Sequence, residues 1–226
     1  MLVLTILILG FAPGIFWAWF FYKRDKLEPE PKRIIVKLFF YGILIAIPAA
    51  ITELFIPFKK IFLAIIFAPI IEEFLKFLVV RISVYNDKEF NEPLDGIIYA
   101  TAVALGFASL ENVGYLFDAY GAGNLVQVTI LRAFLAVPGH ALFSSMWGYA
   151  LGLSKVTQKR SNRIIYNGLV LAMLLHAIYN FFAMGIPFIS FGIIFLIIFI
   201  WRLVNRKINK LLKISPFLEE KEKCDA

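Results

Sequence analysis

Residues 68–80 read APIIEEFLKFLVV and place two adjacent carboxylates and a lysine within an apolar segment that can lie in a bilayer. A charged side chain at the centre of a membrane helix costs roughly 2.5–3.5 kcal/mol on insertion scales. Glu72, Glu73 and Lys76 would therefore oppose insertion unless they face the protein interior. The stretch predicts a membrane helix with one polar face that the protein needs.

The rest of the chain repeats the apolar pattern at membrane length. Of its 226 residues, 61% are hydrophobic, whereas soluble domains are about 45–50% apolar. Because a membrane helix needs about 20 residues, we predict one all-α domain over 1–226, a polytopic membrane helix bundle of seven to eight transmembrane helices. The pair Pro138-Gly139 predicts a kink in the longest run. The candidate spans are 2–22, 34–52, 61–80, 94–117, 126–153, 164–183 and 186–204.

The positive charges follow the loops of this bundle. Eighteen of the 23 lysines and arginines fall in alternate loops and the tail, against two in the intervening loops. By the positive-inside rule, the N-terminus lies outside and the C-terminus lies in the cytoplasm of a multi-pass plasma-membrane protein. The basic tail, about 205–226, is expected to rest on anionic lipid, and no nucleic acid is expected. Cys224 is the only cysteine, which excludes an internal disulfide.

A small set of polar side chains lies within the predicted spans. Glu72 and Glu73 are four and three residues from Lys76, so salt bridges within one helix would explain them structurally. A lone buried histidine is also more often a packing residue than a functional one. Four successive helices, however, each contribute acids, imidazoles or amides, and intramembrane ionisable groups usually face a cavity or one another. The set is Glu72, Glu73, Lys76, Glu111, Asn112, Arg132, His140, His176 and Asn180.

These residue types are suited to water activation. A buried glutamate beside a cation can accept a proton from water. His176 and Asn180, four residues apart on one helix face, can both donate toward a developing oxyanion. Neighbouring residues on a helix are about 100° apart, so Glu72 and Glu73 cannot both face one point. One of them would act in the site, and the other would bind Lys76 or a neighbouring helix.

The absence of two common motifs argues against the commonest zinc proteases and serine hydrolases. The sequence contains neither HExxH, the commonest zinc-protease motif, nor the GxSxG of serine hydrolases. Among the usual hydrolytic sites, one built from glutamate and histidine remains possible, and no cofactor is expected. A zinc ion held by Glu72, His140 and His176 would leave an open position for water and ranks second.

Two other classes of protein would use the same residues. A proton-coupled transporter needs carboxylates, lysine and histidines at mid-membrane, although the chain has no obvious inverted repeat. A non-catalytic membrane scaffold or immunity-type protein would keep them for stability. Cleavage of a single-span substrate by the purified protein separates these interpretations from a protease.

Four ordered motifs carry a resemblance to a known family. Together they resemble the PrsW family of intramembrane proteases, which belongs to a larger group with the CAAX prenyl proteases and the bacteriocin-processing enzymes. The opening LGFAPGIFWAWFFYKRDKLEPEP is similar to the N-terminal region of that family, and the likeness covers nearly the whole chain. The motifs are IEEFLKF (71–77), NEPLDGIIYATAVALGFASLENVGY (91–115), RAFLAVPGHALFSSMWGYALG (132–152) and LLHAIYNF (174–181).

The resemblance implies roles for the matched residues. Glu72 is expected to be the general base, Glu73 its support, and Lys76 the counter-charge of the pair. His140 would assist the base. The remaining assignments are His176 and Asn180 as an oxyanion site, with Glu92, Glu111 and Arg132 in support and no metal.

The resemblance also implies a substrate. Members of the family cut a membrane-anchored anti-sigma factor outside the membrane, as the first step of a stress-signalling cascade. We therefore expect an intramembrane glutamic-type endopeptidase. Its partners would be the lipid bilayer and a single-span membrane protein such as an anti-sigma factor.

Overall fold

The computed structural model describes residues 1–156, 162–184 and 188–218. These ranges form helices joined by short connections, with no β-strand among them. Two stretches are π-helical turns, at Leu63–Phe67 and Arg132–Ala136. The helices are α1 (Leu2–Tyr22), α2 (Lys32–Leu54), α3 (Lys60–Phe62), α4 (Ala68–Ser83), α5 (Asp95–Gly121), α6 (Leu125–Leu131), α7 (Val137–Val156), α8 (Asn162–Phe182) and α9 (Gly192–Leu212).

The π-helical turns join α3 to α4 and α6 to α7, so the described residues form seven long helices. The predicted all-α membrane bundle is confirmed. Five of these helices are long and apolar enough to cross a membrane: α1, α2, α5, the joined helix Leu125–Lys155, and α8. The two others carry more charge, on the polar face of α4 and along the second half of α9.

Helix α5 lies at the centre of the bundle. Every residue from Asp95 to Ser109 is buried, and the helix packs against α1, α2, α4 and α7. It can approach α2 closely because Gly106 has no side chain. A Cβ atom at this position would overlap the carbonyl oxygen of Phe39. Both ends of this central helix carry acids, and those acids belong to two separate clusters.

The first π-helical turn leaves a carbonyl oxygen for a side chain of another helix. The Ala68 N–H donates to Leu63 O, five residues back, and Pro69, the next residue, has no N–H. Neither of the usual donors therefore reaches Ala64 O, and Asn180 Nδ2 of α8 donates to it at 2.8 Å. The turn before the carboxylates of α4 thus depends on a side chain 116 residues away.

The second π-helical turn repeats this arrangement where the sequence predicts a kink. The Val137 N–H donates to Arg132 O, and Pro138 again supplies no N–H. Trp17 Nε1 of α1 donates to the remaining carbonyl oxygen, Ala133 O, at 3.0 Å. The irregularity lies upstream of Pro138-Gly139 because a proline removes the donor for carbonyl groups four to five residues before it.

The last helix corrects a predicted boundary. The sequence places the end of the seventh span at residue 204 and a basic tail after it. Helix α9 instead continues to Leu212, because apolar side chains recur every three or four residues beyond that point. Val204, Ile208 and Leu211 are buried in the core. Residues 219–226, including Cys224, lie outside the described residues.

Candidate active site

Lys76 lies at the centre of a polar cluster on the buried face of α4. Its Nζ donates at 3.0 Å to each of Glu72 Oε2, Glu73 Oε1 and His140 Nδ1. The ammonium also lies 4.1 Å from the ring centroid of Phe107. An ammonium has three N–H donors, so this fully buried cation is completely paired. Its charge allows two carboxylates to remain side by side inside the bundle.

Both carboxylate oxygens of Glu73 accept hydrogen bonds from neighbouring side chains. Its Oε1 accepts from Lys76 and, at 3.3 Å, from His176 Nδ1. Its Oε2 accepts from Ser144 Oγ at 2.7 Å and from Trp147 Nε1 at 3.0 Å. The side chain is fully buried. This geometry suits a residue that positions its neighbours.

Lys76 and Glu111 together orient His140. Because a lysine only donates, Nδ1 of His140 is the acceptor, and the Nε2–H donates to Glu111 Oε2 at 3.1 Å. Glu111 Oε2 also accepts from Arg132 Nη2 at 2.6 Å. Arg132 Nε in turn donates to Asn112 Oδ1 at 2.7 Å. The sequence assigned Glu111 no specific role. In the structure Glu111 fixes the ring of His140, and Arg132 and Asn112 in turn hold Glu111 in place.

Glu72 faces a cavity of about 480 Å³. The cavity lies between the second half of α2, the start of α4 and the second half of α5. Among the described residues, Glu72 accepts one hydrogen bond, from Lys76 to Oε2. Glu72 is therefore the member of the carboxylate pair that water and substrate can reach. The polar and aromatic residues lining the cavity are Glu53, Glu72, Phe107, Glu111, Tyr115 and Asp118.

His176 joins the cluster, whereas Asn180 does not. The His176 ring stacks on Phe143 with 5.0 Å between ring centroids. It also meets the edge of His140 at 4.9 Å. The amide of Asn180 instead donates to Ala64 O, which Pro69 has left without a donor. His176 and Asn180 thus donate to different acceptors here, and their joint role at an oxyanion stays a prediction.

Glu92 lies away from this cluster. It precedes α5, and at 1.5 Å per residue Glu111 lies about 24 Å along the helix from Asp95. Glu92 is fully buried and accepts a hydrogen bond from the Ser215 hydroxyl. The structure therefore separates Glu92 from the other residues that the sequence groups with it.

Several residues of the site were not singled out from sequence, among them Ser144, Trp147, Glu53 and Tyr115. Ser144 and Trp147 follow His140 by four and seven residues, so all three lie on one face of α7. That spacing is a signal that could have revealed both partners of Glu73. Glu53 lines the cavity from α2, but it comes at the end of a predicted span and looks like an ordinary terminal charge.

A zinc ion suits the donors in kind but conflicts with the position of Lys76. Glu72, His140 and His176 each offer one ligand atom, and these atoms lie within 4.8 Å of one another. Two histidines and a carboxylate are a common ligand set for catalytic zinc. Here, however, Lys76 Nζ is 3.0 Å from Glu72 Oε2 and from His140 Nδ1. A zinc ion on those two atoms would lie beside an ammonium, so zinc binding there requires Lys76 to move aside.

A carboxylate–lysine–histidine cluster beside a cavity, inside a membrane helix bundle, defines a class of protein suited to hydrolysis within the membrane. Comparison with known proteins identifies this class as the intramembrane proteases. The family described as "PrsW family intramembrane metalloprotease" matches residues 30–204. The chain belongs to this family.

Curated relatives named Protease PrsW support the assignment over most of the chain. The protein of Geobacillus kaustophilus is 35% identical over 181 residues, which is 78% of each chain. That of Oceanobacillus iheyensis is 35% identical and covers 85% of this chain and 88% of its own. That of Bacillus subtilis is 30% identical and covers 91% and 95%. No solved structure matches the chain at a significant level.

Proposed function

We propose that the protein is a glutamic-type intramembrane endopeptidase in which Glu72 activates a water molecule. The observation that carries this proposal is the difference between two adjacent carboxylates. Glu73 accepts four hydrogen bonds in the interior, whereas Glu72 lines the cavity beside the same ammonium. Glu72 therefore combines access to the cavity with a hydrogen bond from a buried cation.

The chemistry follows from this position. Glu72 accepts a proton from water as the water oxygen attacks the carbonyl carbon of the substrate. The carbon–nitrogen bond then breaks, and Glu72 returns the proton to the leaving amine. Lys76 donates a hydrogen bond to Glu72 and so orients its carboxylate. His140 accepts a hydrogen bond from the same ammonium, and this contact holds Lys76 in position beside Glu72. Glu111 and Arg132 hold His140 in that orientation.

The developing oxyanion needs a donor that faces the cavity. His176 directs its Nδ1–H at Glu73, and Asn180 donates to a backbone carbonyl group. Tyr115 lines the cavity together with Glu72, and it follows Glu111 by one helical turn on α5. We assign its hydroxyl to the oxyanion in place of the amide of Asn180.

The position of the cavity bears on the substrate. With the N-terminus outside, as the charge pattern predicts, the cavity lies in the outer half of the bundle. A single-span protein entering between α2 and α5 would be cut toward its outer side. This supports a single-span membrane protein as the substrate, and the family resemblance adds a membrane-anchored anti-sigma factor, cleaved in the first step of its degradation.

The test is cleavage of a single-span anti-sigma factor that is reconstituted with the purified protein in lipid vesicles. Glu72→Gln keeps the shape of the side chain but cannot accept a proton. We expect it to lose about 100-fold or more of the cleavage rate, with an unchanged Tm. Full activity in Glu72→Gln would reject Glu72 as the base.

Two controls make the result specific. Glu89→Gln makes the same chemical change in the loop before α5, where Glu89 pairs with exposed Lys88, and it should keep full activity. A single-span protein with an unrelated extracellular segment tests the choice of substrate. If the wild-type protein cleaved neither substrate but moved protons across the vesicle membrane, the transporter interpretation would replace this one.

A further inference from the structure

A second carboxylate cluster lies at the opposite end of α5 from the candidate active site. Asp25 and Glu30 come from the connection between α1 and α2, and Asp95 begins α5. Each offers one oxygen atom, and the three atoms lie within 4.8 Å of one another. Asp25 is 4% exposed, and the other two are fully buried. Carboxylates this close together and out of water need shared protons or a cation.

Each of these carboxylates uses one oxygen atom for the protein and leaves the other without a partner. Asp25 Oδ2 accepts the Glu30 N–H at 3.1 Å, and Asp95 Oδ2 accepts the Glu92 N–H at 2.7 Å. Glu30 Oε2 accepts the hydroxyl of Tyr99. Within the described part of the chain, Asp25 Oδ1, Glu30 Oε1 and Asp95 Oδ1 are buried with no hydrogen-bond partner.

A fourth carboxylate faces the same space. Glu92 is fully buried and lies within hydrogen-bonding reach of Asp25. Its Oε2 accepts from Ser215, while its Oε1 is buried without a partner among the described residues. Four acidic side chains this close together and out of water repel one another unless a positive charge or shared protons join them.

We propose that Asp25, Glu30 and Asp95, with Glu92 beside them, bind one hard divalent cation of the calcium and magnesium class. Ligands that are all oxygen atoms select such ions. Oxygen atoms within 4.8 Å of one another can share one calcium ion, which takes oxygen ligands at about 2.3–2.6 Å in flexible geometry. Magnesium needs a near-ideal octahedral shell at about 2.0–2.1 Å and gives up its bound water reluctantly. Calcium is therefore expected to bind more tightly than magnesium.

The cation would connect three segments that are distant in sequence. It would join the connection before α2, the connection before α5 and, through Ser215 and Glu92, the segment after α9. All three lie on the side that the charge pattern makes cytoplasmic. The site is independent of the proposed chemistry at Glu72.

The test uses the purified full-length protein in detergent, stripped of metal and titrated by calorimetry with calcium chloride and, separately, magnesium chloride. The wild-type protein should bind one ion per chain, with a rise in Tm. Asp25→Asn keeps an acceptor for the Glu30 N–H but removes one charged ligand. It should weaken the affinity about tenfold or more. Asp87→Asn removes the same charge from an exposed position near the site and should bind like the wild-type protein.

Further variants keep the result decisive. Glu92→Gln, which retains an acceptor for Ser215, should also weaken binding if Asp25→Asn fails to fold. Bound cation should slow tryptic cleavage after exposed Lys26 in the wild-type protein. His140→Ala should bind the ion normally, whatever it does to proteolysis. The proposal is overturned if the wild-type protein binds neither ion, if Asp25→Asn and Glu92→Gln bind normally, or if His140→Ala abolishes binding.

Discussion

At the scale of single residues, one lysine determines whether the acids of α4 can be buried. Lys76 is the donor common to Glu72, Glu73 and His140. Its removal leaves two carboxylates inside the bundle without their counter-charge. Breaking a buried ion pair from one side typically costs about 3–5 kcal/mol.

We therefore predict that Lys76→Ala lowers the Tm of the detergent-solubilised protein sharply and abolishes proteolysis with it. The double variant Lys76→Ala with Glu73→Gln should recover part of the stability, because it removes one of the stranded charges. Activity should not return, since Glu72 still lacks its cation. A single variant with the Tm of the wild-type protein would show that the carboxylates are satisfied in another way.

A second prediction at this scale concerns the oxyanion. Tyr115→Phe removes one hydroxyl from the cavity lining and keeps the ring on which Arg132 stacks at 3.8 Å. Loss of one oxyanion donor typically lowers kcat by about 100- to 1,000-fold. We expect a loss in that range with KM little changed, measured on a soluble fluorogenic fragment of the substrate.

Tyr120→Phe provides the matched control for that measurement. Tyr120 is on the same helix and half exposed, but it does not line the cavity that holds Glu72. It should retain wild-type kinetics. A Tyr115→Phe variant with unchanged kcat would return the oxyanion role to His176.

At the scale of helices, the two π-helical turns position the site. Each turn directly precedes an active-site segment, one carrying Glu72 and the other His140. Each also depends on a side chain from a distant helix, Asn180 or Trp17, for one carbonyl group. Two prolines thus create the need for donors that tertiary packing supplies.

We predict that Asn180→Ala lowers both Tm and kcat. Loss of the hydrogen bond to Ala64 O, which is at an exposed position, typically costs about 0.5–1.5 kcal/mol, and relaxation of the turn displaces Glu72. Trp17→Phe should behave similarly through Ala133 and His140. As a control, Asn205→Ala removes a side-chain hydrogen bond within α9, to Trp201 O, and should leave kcat unchanged.

The same variant distinguishes two roles for Asn180. A role in supporting the turn requires Tm and kcat to fall together. A direct role in binding the oxyanion would lower kcat while Tm stayed at the wild-type value. That second outcome would restore the assignment made from sequence.

At the scale of the whole molecule, the two carboxylate clusters differ in whether the protein itself supplies a positive charge. The cluster at Glu72 already contains an ammonium, whereas the cluster at Asp25 has buried oxygen atoms without partners. Any metal experiment on this protein must therefore separate zinc from calcium and magnesium. A general chelator would act on both clusters.

We predict that a chelator selective for zinc leaves proteolysis intact when calcium and magnesium are in excess. Elemental analysis of the purified protein should find well under one zinc ion per chain. Restoration of a lost activity by stoichiometric zinc would mean that Lys76 moves aside to admit the metal. The glutamate mechanism would then give way to zinc-assisted hydrolysis.

Much of the architecture follows from sequence alone. Apolar runs of membrane length predict the seven helices, because each must satisfy its own backbone hydrogen bonds in lipid. Helical periodicity places Glu72 and Glu73 each within reach of Lys76, because residues three and four apart meet. The cost of charge in lipid then indicates that this face is buried.

The partners of those residues were decided by tertiary structure. Periodicity describes one helix at a time, so it cannot tell that Glu111 orients His140 or that Ser144 and Trp147 hold Glu73. Asn180 shares a helix face with His176, yet it is drawn to Ala64 O by an irregular turn in another helix. Asp25 and Glu30 lie in a connection and Asp95 begins a predicted span, and only the packing of the helix ends removes all three from water.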